Sequence, residues 1–100
     1  MTNVATSTAG RRVDVLIRGG VVVTPNAVGI ADVSIEQGRI IDVGSDPTVA
    51  GEAEIDAAGL HVFPGLVDAH VHFNDPGRAD WEGWPTGSAA LAAGGGTVAV

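Results

Sequence analysis

Two stretches decide how this chain is built: Leu66-Val67-Asp68-Ala69-His70-Val71-His72 and Thr97-Val98-Ala99-Val100. Each is a short apolar run, and the first gathers its polar residues toward its C-terminal end. That first run reads as a largely buried strand. Phe73 to about Pro85 reads as a loop, and Thr86 to Ala93 as a short helix of small residues capped by Gly94. Strand, helix and strand in that order make a βαβ unit, which implies a parallel pair. A parallel sheet is stable with both faces covered, and two strands with one helix cannot cover them. The expectation is an α/β protein of which this chain is the N-terminal piece.

Upstream of Phe63-Pro64-Gly65 the pattern is all β. Asp14 to Arg18, a Gly19-Gly20 turn and Val21 to Val23 read as strand, turn, strand, ended by Thr24-Pro25-Asn26. From Ala31 to Glu36, Ala31, Val33 and Ile35 alternate with Asp32, Ser34 and Glu36. Gln37-Gly38 then reads as a tight turn into Arg39 to Val43, closed by Gly44, which predicts a hairpin. Residues 45–52 read as loop. Glu54-Ile55-Asp56 and Leu60-His61-Val62 read as a further strand pair around Ala57-Ala58-Gly59.

Composition excludes several classes. Five Lys+Arg, all of them Arg, stand against twelve Asp+Glu, for a net charge of −7 in 100 residues. So acidic a chain does not bind nucleic acid or an anionic membrane by bulk electrostatics. With 45% apolar residues it is too hydrophobic for disorder. No uninterrupted apolar run approaches the roughly 18–20 residues of a membrane-spanning helix. Zero cysteines exclude disulfides, thiolate metal sites and a cysteine nucleophile. The polar opening lacks the apolar core of a signal peptide, and the apolar stretch behind Arg11-Arg12 is short and broken by Asp14, so the expected location is cytoplasmic.

The chemistry concentrates in Asp68-Ala69-His70-Val71-His72. On a strand, His70 and His72 share a face about 7 Å apart at the backbone. Two imidazoles so placed can clamp one divalent ion. Asp68, one step deeper on that face, could orient a ligand histidine from behind. A bare His-x-His is weak evidence, since two histidines fall at this spacing by chance. Its place at the end of a buried strand, after Pro-Gly and before a polar loop, moves the balance toward a metal site. His61, away from this segment, reads as structural. The two Trp residues, Trp81 and Trp84, read as packing of the loop, and the remaining acids read mostly as solvated hairpin faces.

The string Phe63-Pro64-Gly65-Leu66-Val67-Asp68-Ala69-His70-Val71-His72 resembles the metal-site signature of the cyclic amidohydrolases, P-G-x-x-D-x-H-x-H. Asp14-Val15-Leu16-Ile17-Arg18-Gly19-Gly20 and Gly38 to Gly44 resemble the small β-sandwich segment that precedes it. The likeness covers about Asp14 to Val100. Within that group, Asn74-Asp75-Pro76-Gly77-Arg78-Ala79-Asp80-Trp81-Glu82-Gly83 and the following Thr86 to Gly95 are similar to the allantoinase pattern. Dihydroorotases usually carry Arg where Asn74 stands, holding the substrate carboxylate, and allantoin has no carboxylate. One departure is Val98, where a second Thr is common.

What the resemblance implies is a metal-dependent hydrolase of cyclic amides, most like allantoinase. The polar opening reads as a flexible tail over residues 1–12; beyond it the resemblance implies part of a β-sandwich over 13–63 and the first βαβ portion of a (β/α)8 barrel over 64–100. It implies two divalent metals, usually zinc, bridged by a hydroxide and a carboxylated lysine, with His70 and His72 on one metal and Asp68 behind them. The lysine, two further histidines and the proton-shuttling Asp would lie downstream, so no catalytic residue is expected in this stretch. Asn74 and Arg78 are the candidates for touching substrate, and Asp75 could do so or simply form the turn. The implied partners are a small cyclic amide and copies of the same chain in a homo-oligomer, a tetramer at full length, with neither nucleic acid nor membrane. Dihydroorotase, dihydropyrimidinase or hydantoinase, a non-catalytic scaffold of the same fold and a stand-alone binding module are the competing readings.

Overall fold

The computed structural model describes residues 10–74, 77–78 and 80–100. Of the tail read over residues 1–12, positions 1–9 lie outside the described residues, as does Asp75. The chain forms two compact units, one ending at Phe63 and one beginning at Pro64. It is mostly β-sheet with one helix. Among the described residues there is no closed barrel. No described helix is long and apolar enough to cross a membrane.

The first unit is one sheet of five strands: β1 (Arg12–Val23), β2 (Val28–Glu36), β3 (Arg39–Gly44), β4 (Ala50–Asp56) and β5 (His61–Val62). The order is β3-β2-β1-β4, with β5 also on β1. The β2–β3 hairpin forms as its sequence predicts. Gln37 and Gly38 both have positive φ, 51° and 72°, the backbone that a tight hairpin turn needs to match strand twist. Ile41 is an extra residue in β3, because Ser34 pairs Asp42 while Ile35 pairs Ile40. Such a bulge re-aims a side chain, and Ile41 packs against the buried Val13, Leu16 and Val49.

Three readings of this region need correction. Gly19-Gly20 is not a turn: β1 runs straight through, with a bulge between Ile17 and Gly20. Gly19 takes φ +70° and gives its N–H to Asp32 Oδ1 at 2.9 Å. A Gly pair inside apolar flanks suits either a turn or a bulge, and long-range pairing with β2 decides for the bulge. Residues 45–52 are not all loop, since β4 starts at Ala50. Nor do β4 and β5 pair with each other. Both run parallel to β1, β4 along Arg12–Arg18 and β5 along Val21–Val22. The break between them falls beside the bulge, where Leu60 N–H closes a turn on Ala57 O at 2.9 Å.

The acidic residues are also more than solvated faces. Carboxylates of Asp14, Asp32, Asp46, Glu54 and Asp56 accept backbone N–H groups of Gln37, Gly19, Thr48, Gly51 and Ala58. Three carboxylates, Glu54 again among them, pair with arginines: Arg12 with Glu52 at 2.6 Å, Arg18 with Glu54 at 2.7 Å, and Arg11 with Glu36. Backbone groups that the ladders leave out at bulges and turns thus find charged acceptors.

The second unit is a parallel pair, β6 (Leu66–Asp68) and β7 (Gly96–Ala99), joined through α1 (Trp84–Ala93). The βαβ order is as expected, but β6 stops at Asp68, short of His72. Leu66 and Val67 are each 58% exposed, so the strand is not largely buried in this chain. Helix α1 begins two residues earlier than the small-residue run suggests. Pro85 accounts for this, since its missing N–H costs nothing in a first turn. Gly94 is the C-cap, and Gly95 at φ +91° turns the chain into β7.

Two outcomes follow for the first unit. A Cβ at Gly19 meets nothing within 4 Å, so Gly19→Ala should act only through its left-handed backbone. It is expected to cost about 1–2 kcal/mol in urea unfolding, and Gly19→Asn less, because Asn tolerates that region. Hydrogen bonds from Thr48 hold Asp46 below its ordinary pKa; Arg18 and then Gly51 do the same for Glu54. Depressed carboxylates contribute stability fully above their unfolded values, near 4, and lose it as pH falls through the lower folded values. Thermal unfolding should therefore show stability falling below about pH 4, more shallowly in Glu54→Gln.

Candidate metal centre

The segment after β6 leaves the ladder at once, so His70 and His72 do not sit on a strand. The face-sharing argument for them therefore does not apply. They meet nonetheless: their Nε2 atoms lie 3.1 Å apart, with ring centroids 5.1 Å apart and planes inclined at 52°. Both side chains are exposed. Two nitrogens each about 2.0–2.1 Å from one tetrahedral ion lie roughly 3.3 Å apart. The observed approach is close to that bite. Without an ion, the same spacing suits one shared proton, Nε2–H to Nε2. Among the described residues no group of three or more His, Asp or Glu converges.

Asp68 contacts the backbone of the histidine segment rather than an imidazole. Its Oδ1 accepts the His70 N–H at 3.1 Å, a turn that ends the strand and starts the histidine segment. Asn74 is half-buried and takes φ +59°, which Asn accepts more readily than most residues. Part of its suitability is therefore conformational. Arg78 lays its guanidinium 4.5 Å from the centroid of the exposed Trp81, and its carbonyl accepts the Trp81 N–H at 2.9 Å. His61 lies in the other unit, stacked on Phe63 with centroids 6.0 Å apart.

One residue of this region was not singled out from sequence. Phe73, directly after His72, meets Trp84 edge-on with centroids 4.7 Å apart. It also covers the buried Gly87 of α1. The available signal was an aromatic next to a histidine pair, facing a helix with a glycine in its first turns.

No family model matches the chain. It is 53% identical over 87 residues to an allantoinase of Desulfitobacterium hafniense (strain Y51), covering 85% of this chain and 19% of that protein. It is 57% identical over 84 residues to an allantoinase of Solibacter usitatus, covering 83% and 18% respectively. With an Escherichia coli allantoinase the identity is 44% over 87 residues, covering 87% and 19%. The chain spans about a fifth of the length of the curated relatives it matches. Over that stretch the chain is a homologue of the allantoinases, corresponding to their N-terminal part.

Proposed function

We propose that the chain is the N-terminal part of a metal-dependent hydrolase that opens cyclic amides, with allantoin as substrate and allantoate as product. The observation that carries this reading is the 3.1 Å approach of His70 and His72 Nε2 within a segment about half identical to allantoinases. In this reading the unit from Pro64 opens a (β/α)8 barrel and the preceding sheet belongs to a β-sandwich. The assembled enzyme is cytoplasmic and homo-oligomeric.

His70 and His72 would hold a divalent ion, zinc by the chemistry of two imidazoles. Bound there, the ion supplies Lewis acidity and a water of lowered pKa. The remaining roles belong to the chain itself. Asp68 fixes the start of the histidine segment through the His70 amide. Asn74 offers a carboxamide to a ureido group or ring carbonyl. Arg78, its face on Trp81, keeps its N–H edge for a substrate carbonyl.

Substrate choice rests on Asn74. Dihydroorotate brings a carboxylate that needs a cationic partner, and burying it unpaired is costly. A neutral amide at this position suits allantoin. The test is a chimera that carries this chain in place of the matching stretch of the Desulfitobacterium hafniense allantoinase. It is expected to hydrolyse allantoin far faster than dihydroorotate. Asn74→Arg should impair turnover, while Asn74→Gly, which keeps the left-handed backbone and removes the amide, should raise KM by about tenfold, the loss of roughly one hydrogen bond. A preference for dihydroorotate in the unmutated chimera would overturn the allantoin assignment. Unchanged kinetics in Asn74→Gly would reduce Asn74 to a turn former.

A further inference from the structure

We propose that Phe73 is a positioning residue for the histidine pair, and that Gly87 is glycine because Phe73 must lie where its side chain would be. This deepens the metal-site reading and rests on it. The need for such a residue arises from where β6 ends. Residues 69–72 have no ladder hydrogen bonds, so the sheet does not fix the two imidazoles. Two anchors flank the segment instead. At its start, Asp68 Oδ1 takes the His70 N–H at 3.1 Å. At its end, the Phe73 ring is set edge-on against Trp84 at 4.7 Å and 78°.

Consecutive Cα atoms are about 3.8 Å apart, so pinning Phe73 pins the backbone of His72. The seat for the ring is built into α1. Gly87 is buried, and a Cβ there would come within 3.0 Å of Phe73 Cε1 and closer still to Cδ1. The Glu82 side chain also approaches, its Cγ 3.4 Å from the same point, with its carboxylate accepting the Thr86 hydroxyl. Trp84 and Gly87 are three apart, hence on one helix face, and the ring lies across both. A glycine in a helix interior costs roughly 1 kcal/mol relative to alanine. Close approach of the aromatic ring gives that glycine a reason to be there.

The experiment reads the pair in the 100-residue chain with labelled histidine, by NMR and zinc titration. The parent should show cross-peaks between the two imidazole rings, and zinc should move both sets of ring resonances together. Phe73→Ala and Gly87→Ala should each abolish the ring–ring cross-peaks and raise the apparent zinc Kd at least tenfold. Helix content by circular dichroism should hold in Gly87→Ala, because alanine favours helix. Phe73→Leu placed in the Gly87→Ala chain should recover part of the loss, since it vacates room for the new methyl group. Cross-peaks and Kd within twofold of the parent in both single variants would overturn the proposal and leave the metal site standing. Cross-peaks that respond to these substitutions while zinc shifts neither ring in the parent would support the positioning role and overturn the metal reading.

Discussion

Two parallel strands cannot be joined by a tight turn, and that constraint governs the unit from Pro64 onward. Leu66 pairs with Gly96 and Asp68 with Ala99, both strands running the same way. The chain leaving Asp68 must therefore cross back along the sheet before β7 can start. Everything of chemical interest lies on that crossing: the two histidines directly after the strand, the loop with Asn74 and Arg78, and the helix that seats Phe73. The pairing decides that the histidines stand at the C-terminal end of a parallel strand, the end at which α/β folds gather their sites.

β1 plays the comparable part in the first unit. It pairs with β2 on one edge and with β4 and β5 in succession on the other. A strand so used must satisfy backbone groups on both sides along twelve residues. Where it bulges at Gly19, the ladder fails and the Asp32 carboxylate takes its place. The chain's surplus of acids has a structural use here, since several of them accept N–H groups at turns and bulges. Arginines on β1 balance others.

Periodicity made the β2–β3 hairpin and the βαβ order legible, because both depend on local pattern: Gln37-Gly38 between alternating runs, and small residues between two apolar ones. The bulge at Gly19-Gly20 and the shared use of β1 by β4 and β5 were not legible. They are settled by partners far along the chain, and a Gly pair reads the same in either setting. The approach of His70 to His72 does not follow from strand alternation. Strand alternation was to put them on one face, yet the strand stops at Asp68, and the rings converge across a bend instead. Asn74 was read for its amide, whereas its positive φ shows that the backbone also has a claim on it. Phe73 carries little signal in the local pattern, because what distinguishes it is its contact with Trp84 and Gly87 on α1.

The central claim is that His70 and His72 hold one ion together. Metal content of the purified chimera tests it most directly, measured by elemental analysis after gel filtration in metal-free buffer. The unmutated protein is expected to retain bound zinc, and His70→Ala and His72→Ala should each lose at least one ion per subunit while remaining folded. Full metal occupancy in His70→Ala would contradict the account.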